Sequence, residues 1–208
     1  MEYINIHTHS YTGNGIEIVN YDTETTNEFF SYGIHPRSKQ GTEYKLDLIT
    51  QTNCLAIGEI GLDKHSELTL NKQIELFNLQ VYRYTYINKP IIIHCVKHFN
   101  ELITLKRKNK HQNQWIIHGF RNTKITHILL NEGFYLSIGT AVLWDKKLQE
   151  TVREIPLSHL FLETDTDTEN SIYDVYQQIS LLKNISLEEL KKEIYKNFKC
   201  IFTPWKIG

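Results

Sequence analysis

Five short segments of this chain each read as a β-strand ending in a histidine or a carboxylate. They are Ile4-Asn5-Ile6-His7-Thr8-His9, Ala56-Ile57-Gly58-Glu59, Ile91-Ile92-Ile93-His94, Trp115-Ile116-Ile117-His118 and Leu160-Phe161-Leu162-Glu163-Thr164-Asp165. The polar residue follows an apolar run or a small turn residue, where a buried strand leaves a sheet. One such end is easily chance. Repeated five times, it points to one rim where nitrogen and carboxylate donors converge, a donor set suited to divalent metal ions. The expected frame is a parallel barrel.

The spacing supports that frame. From Cys54 onward, strands and helices alternate, the pattern of a parallel sheet with helical crossovers. Strand 54–60 precedes a helix over 68–87, which Asn88-Lys89-Pro90 ends before strand 91–94. A helix over 99–108 leads to strand 115–118. A helix over 124–132, closed by Gly133, leads to strand 134–139, and a helix over 146–154 to strand 160–163. Helices over 172–182 and 187–198 finish the chain, the last opening on a capping box of Ser186 and Glu189. In the first third, strand 3–7, the run 16–19 and the run 29–34 are separated by gaps too short for helices, the second gap being the polar stretch 22–27. A standard parallel crossover takes a dozen or more residues, so strands 2 and 3 are expected to pair as a hairpin. The fold class expected is α/β, a TIM-like (β/α) barrel, incomplete or distorted in its first third. Residues 1–208 are expected to form a single domain, since no linker, repeat or shift of composition divides them.

Composition narrows the function. Hydrophobic residues make up 40% and charged residues 23%, as in ordinary globular proteins. No apolar run approaches the roughly 18 residues of a membrane span. The start Met1-Glu2-Tyr3-Ile4 lacks the basic and apolar regions of a signal peptide. Three widely spaced cysteines, Cys54, Cys95 and Cys200, make neither a disulfide framework nor a Cys-x-x-Cys metal pair, so the expected home is the cytoplasm. A net charge of −1 argues against tight or processive binding of a nucleic-acid duplex, whose affinity comes largely from phosphate neutralisation, but leaves room for a phosphate-bearing substrate.

His7 and His9 stand at i and i+2, on one face of a strand. Alone, such a pair is as often an ordinary exposed strand; its place at the end of the first strand favours a metal. Glu59 sits between Gly58 and Gly61, which let the backbone turn closely; a solvated turn carboxylate is the plain alternative. His94 and His118 each end an apolar run. Singly they resemble core histidines bonded to backbone, and their repetition weakens that reading. Glu163 and Asp165, again at i and i+2, are expected as a buried pair facing one side, which a cation or a proton must separate. His35, in Gly33-Ile34-His35-Pro36, is expected at the same mouth as a substrate contact more than a ligand. His65, His111, His127 and His159 are expected on the surface, the run 106–110 as a solvated basic helix end, and Tyr82, Tyr84 and Tyr86 on one amphipathic helix.

In order, spacing and type, these segments resemble the TatD-type metal-dependent hydrolases. The matching residues are His7-Thr8-His9, Gly33-Ile34-His35-Pro36, Gly58-Glu59-Ile60-Gly61-Leu62-Asp63, Ile92-Ile93-His94, Ile116-Ile117-His118-Gly119-Phe120, Gly133-Phe134-Tyr135-Leu136-Ser137 and Leu162-Glu163-Thr164-Asp165. The resemblance implies a TIM-like barrel, one or two divalent ions, and phosphodiester hydrolysis of the deoxyribonuclease kind; the His and carboxylate donors leave zinc, manganese, magnesium, iron and nickel open. By position it implies His7, His9, Glu59, His94, His118 and Asp165 as ligands, with Glu59 the bridge between two ions. The chain departs from the family pattern in its substrate loops: His94-Cys95-Val96-Lys97-His98 stands for His-Ser-Arg, His118-Gly119-Phe120-Arg121-Asn122 for His-Cys-Phe-Ser-Gly, and Thr166-Asp167-Thr168 for the Ser-Pro after Glu-Thr-Asp. Lys97 and Arg121 thereby become candidate phosphate contacts.

The first expectation is therefore a hydrolase of phosphoesters, with DNA among the candidate substrates, in which Asp165 accepts a proton from the attacking water and Glu59 bridges the ions. No membrane and no obligate protein partner are inferred. Two rivals stay open: an amidohydrolase-like enzyme cleaving C–N or carboxylic ester bonds, and a metal-binding, non-catalytic component of a complex.

Overall fold

A computed structural model describes residues 1–21, 28–38, 45–84, 87–109 and 113–202. The strands are β1 (Ile4–Thr8), β2 (Ile16–Asn20), β3 (Phe30–Tyr32), β4 (Cys54–Asp63), β5 (Ile91–Val96), β6 (Trp115–Ile117), β7 (Phe134–Ile138) and β8 (Leu160–Leu162). The helices are α1 (Leu46–Thr50), α2 (Leu70–Tyr84), α3 (Phe99–Lys108), α4 (Thr126–Asn131), α5 (Lys146–Glu154), α6 (Ile172–Lys183) and α7 (Leu187–Phe202). The strands lie in chain order in one eight-stranded sheet, each parallel to the next. This is the TIM-like barrel expected from the alternation.

The barrel closes where β8 meets β1. Asp165 N–H donates to the His7 carbonyl and His9 N–H to the Asp165 carbonyl, both at 3.0 Å. The Asn5 side chain spans the seam, donating to Thr164 Oγ1 at 2.8 Å and accepting from Thr164 N–H at 3.2 Å. From outside, buried Tyr176 of α6 places its hydroxyl on both N–H and C=O of Ile4, at 3.1 and 3.2 Å. A groove of unpaired strand edges is thus replaced by side-chain bonds.

The expected hairpin is not formed. β2 and β3 run parallel, with Val19 opposite Phe30 and Asn20 opposite Ser31. A helical crossover needs a dozen residues, but a bare extended return needs only enough chain to retrace a short strand. At roughly 3.3 Å per residue, a segment of nine residues spans more than the length of β2. β1 returns to β2 without a helix, with Gly13 and Gly15 at positive φ and Ile16 N–H on the Tyr3 carbonyl at 2.9 Å. The barrel has all eight strands and lacks helices between β1 and β2; the polar stretch 22–27 lies outside the described residues.

Elsewhere the periodicity translates closely. α3 and α5 keep the expected bounds, and α2 puts Phe77 and Val81 into the core. The helix expected over 124–132 opens as a 3-10 turn at Thr123–Ile125 before α4. Short α1 was not anticipated. Ser186 and Glu189 form their capping box, and Ser171 and Asp174 form another at α6. The basic helix end is not wholly solvated: Lys106 lies 5.0 Å from the Trp115 ring, burial drawing its pKa down to about 8, and Arg107 pairs with Glu132 at 2.5 Å. Lys110, His111 and Tyr86 lie outside the described residues. His65 and His127 are exposed as expected, and His159 stacks on Tyr135. Among the described residues no helix is long and apolar enough to cross a membrane.

Candidate metal centre

The mouth of the barrel is organised around Glu59. The strand β4 carries it inward, 5% exposed. Its two carboxylate oxygens face different histidines. Oε2 lies 3.6 Å from His7 Nε2 and 3.8 Å from His9 Nε2. Oε1 lies 2.7 Å from His118 Nε2, 2.8 Å from His94 Nδ1 and 3.3 Å from His35 Nε2. Asp165 stands on the first side, its Oδ1 3.5 Å from both His7 Nε2 and His9 Nε2. The six expected ligands, from β1, β4, β5, β6 and the end of β8, are thus brought together.

The contacts around His7 fit a metal better than they fit hydrogen bonds. His7 is fully buried, and among the described residues neither ring nitrogen has a hydrogen-bond partner. An unpaired buried nitrogen is costly. Its distances of 3.5 and 3.6 Å to two carboxylates are long for N–H···O bonds. They match the roughly 3.4 Å between two donors that share one ion at about 2.1 Å in tetrahedral array. Within this cluster, His7, His118 and Asp165, His7, His9 and Glu59, and His35, Glu59 and His94 each have donor atoms within 4.8 Å of one another.

Two carboxylates behind the histidines were not assigned a role from sequence. Asp63, 2% exposed, takes His94 Nε2 at 2.9 Å. Its Oδ1 accepts from His65 N–H at 2.7 Å and its backbone N–H is held by Gln73. His94 therefore offers Nδ1 to the centre while Asp63 fixes its other nitrogen, the carboxylate–histidine arrangement that orients metal ligands. Glu163, fully buried, accepts from Gly119 N–H at 2.5 Å and lies 3.5 Å from His118 Nδ1. The expectation of Glu163 and Asp165 facing one side is corrected here. β8 ends at Leu162 and Asp165 takes φ +54°, so strand alternation no longer governs them: Glu163 stands against Gly119 N–H and His118 Nδ1, and Asp165 Oδ1 against His7 and His9. Glu59 and Asp63 sit at i and i+4 on one strand; that even spacing was the available clue to Asp63.

His35 is more constrained than a ring at the mouth need be. Its Nδ1 accepts the Arg37 backbone N–H at 3.0 Å. In the neutral ring the proton then sits on Nε2, the nitrogen facing Glu59. A ring held in that tautomer donates from Nε2 and does not ligate through it. Arg37, exposed, brings its guanidinium 4.0 Å from Asp63, a mouth cation not singled out from sequence. Arg121 is exposed, 3.4 Å from Asp145, and lines a pocket with Asp165. Lys97 follows β5 at φ +67°, exposed, with no ion pair among the described residues. The structure does not join Lys97 to the cluster.

The electrostatics follow from the contacts. Burial alone would raise Glu59; the charge of His118 and the bonds from His118, His35 and His94 outweigh it and hold the carboxyl well below its usual value. Burial alone would lower His118; Glu59 and Glu163 outweigh it and raise the ring well above its usual value. Asp165 is likewise lowered, burial being outweighed by His7 and His118. Burial, reinforced by His7, lowers His9. The sign of the pH dependence in metal-stripped protein is then set. Glu59 contributes stability above its ordinary 4.5, lost as pH falls through its depressed folded value. His118 contributes stability below its ordinary 6.5, lost as pH rises through its elevated folded value. With chelator present, Tm should peak between about pH 4.5 and 6.5 and fall on either side. Divalent metal, which competes with the proton on His118, should stabilise most on the alkaline side. A Tm that climbs steadily from pH 6 to 9 in chelator would contradict this pairing.

Comparison with known proteins agrees with this geometry. Residues 3–203 match the family model described as TatD related DNase. The chain is 28% identical over 200 residues to the uncharacterized metal-dependent hydrolase YcfH of Escherichia coli, covering 86% of this chain and 75% of YcfH. It is 30% identical over 173 residues to the uncharacterized metal-dependent hydrolase YabD of Bacillus subtilis, covering 75% and 68%. Among solved structures, a TatD-family hydrolase from Entamoeba histolytica superposes with a TM-score of 0.76 over 98% of both chains at 18% identity, which shows the shared fold. With the family model spanning nearly the whole chain, this protein belongs to the TatD family and is a metal-dependent hydrolase of that family.

Proposed function

We propose that this hydrolase cleaves phosphoester bonds, of the deoxyribonuclease kind, with one or two divalent ions held by His7, His9, Glu59, His94, His118 and Asp165. The observation that carries the reading is Glu59, whose two oxygens face separate histidine sets. That is the placement a carboxylate needs to bridge two ions. The donor set, nitrogen and carboxylate without thiolate, suits zinc, manganese or iron, and magnesium less well.

Bound by these residues, a divalent ion would supply Lewis acidity, bringing the pKa of water toward neutrality and neutralising charge on phosphoryl oxygens. The residues supply the rest. Asp165, its side chain 37% exposed and ionised, is the carboxylate of the cluster most open to water, and it accepts the proton of the attacking water. Asp63 holds His94 in orientation, and Glu163 stands behind His118 as its counter-charge. His35 donates its Nε2–H to a phosphoryl oxygen. Arg121 approaches that phosphate from the loop after β6, as a fork; Lys97, exposed after β5, lies outside the cluster.

Arg121→Ala should lower kcat/KM on a phosphodiester by about one to two powers of ten, the loss of one charge-assisted bond of roughly 1.5–3 kcal/mol. Metal content should not change. Wild-type kinetics in this variant would make Arg121 a loop residue tied to Asp145. The general test is turnover by the metal-loaded protein of a dinucleotide phosphodiester beside carboxylic ester and amide substrates. Turnover confined to the esters and amides would replace phosphoester hydrolysis with amidohydrolase-type chemistry. Metal binding without turnover of either would leave a non-catalytic role.

A further inference from the structure

Beside the centre lies a pocket of about 280 Å³ bounded by Arg121, Thr140, Trp144, Asp165, Asp167 and the loop at Gly139. Trp144 is 56% exposed. Leaving so large an apolar ring in water forgoes burial energy, and this ring stands in the wall of a pocket that opens on Asp165. Its backbone is fixed on both sides. Trp144 N–H and Asp145 N–H both reach the Ala141 carbonyl, at 3.3 and 2.9 Å. Buried Gln149 ties the Val142 carbonyl at 2.8 Å. Asp145 caps α5, accepting from Lys147 and Leu148 N–H at 3.1 and 3.2 Å, and also holds Arg121. The indole is an exposed ring on a rigid turn.

The charges around it select the occupant. Asp165, Asp167 and Glu163 line the pocket, while the one cation among its described lining residues, Arg121, is already beside Asp145. A second phosphate would be repelled. A neutral, flat, hydrogen-bonding ring would not, and its faces suit an indole.

We propose that Trp144 is a stacking platform for an unpaired nucleobase on the nucleotide flanking the scissile phosphate. This rests on the phosphoester reading of the adjacent centre and narrows it: the substrate carries a base, and that base is single-stranded, since a paired base keeps its faces in the duplex stack. The net charge of −1 agrees, because a short or frayed strand needs no long basic track.

Calorimetric titration of the metal-loaded protein with thymidine 5′-monophosphate, uridine 5′-monophosphate and deoxyribose 5-phosphate tests binding without turnover. Both nucleotides should bind about ten-fold more tightly than the sugar phosphate. Trp144→Ala should erase that advantage and Trp144→Phe should keep most of it. Kinetically, a dinucleotide with an abasic flanking residue should be cleaved about ten-fold less efficiently than the intact one by the wild type. Trp144→Ala should turn the two over alike. Base-independent binding, or an equal preference for the intact dinucleotide in Trp144→Ala, overturns the platform while phosphodiester turnover still upholds the reaction. Base-dependent binding that is lost in Trp144→Ala, without turnover of any phosphodiester, upholds the platform and removes the reaction.

Discussion

Glu59→Gln should lose about three powers of ten or more in kcat/KM, on the order of 4 kcal/mol at 1.4 kcal/mol per tenfold, together with at least part of its bound metal. Gln keeps the shape of the side chain but not its charge, and its amide presents a donor where a carboxylate oxygen now faces His7 and His9 or His94 and His118. Both histidine sets lose the anion between them. The same substitution removes the main partner that keeps His118 charged in the metal-free protein, so the chelated variant should also lose the Tm maximum in the acidic range. Circular dichroism should remain that of the wild type, since the barrel core does not involve the carboxylate. The measurements are elemental analysis of the purified variant and steady-state kinetics on a phosphodiester. Wild-type metal content with a wild-type rate would make Glu59 a buried turn residue and dissolve the centre built around it.

Gly61→Ala should destabilise the protein by about 3 kcal/mol, the upper end for overpacking a core, or roughly 6–12 °C in Tm for a chain of this size. Gly61 pairs with His94 across β4 and β5. A Cβ built there would stand 1.8 Å from the His94 carbonyl oxygen and 2.7 Å from its carbon. Both are backbone atoms in a sheet, so no side chain can turn aside to relieve the clash. Strand β5 must shift, and with it His94 and the bond to Asp63. Metal affinity should therefore fall with stability, which a surface substitution of equal cost would not produce. Thermal melts and metal titrations on the same preparation check this. Unchanged Tm with full metal loading would show that β5 adjusts freely at this point.

The barrel and most of its centre were legible in the sequence because both depend on local regularities. Apolar runs of strand length alternating with helical periodicity lead to a parallel sheet, and a polar residue that ends a buried strand must emerge at one rim. His7, Glu59, His94 and His118 were readable for that reason, without any knowledge of distant contacts. The direction of β3 was not. Strand orientation depends on whether a bare segment of chain can retrace a short strand, and the sequence carries no periodic signature for such a return. The partners behind the ligands were hidden for a related reason. Asp63 and Glu163 act by distance to rings on other strands, at 2.9 and 3.5 Å, and a carboxylate at a strand end looks the same whether it faces an ion or a histidine. The tautomer of His35 hangs on one backbone N–H two residues away, and the exposure of Trp144 on where the turn before α5 sits over the mouth. The residue types and their order along the strands determined which donors this chain brings to its rim. Only the closure of the barrel, which packs eight separated segments against one another, decided which nitrogen each ring presents, which carboxylate stands behind it and which aromatic face is left open beside it.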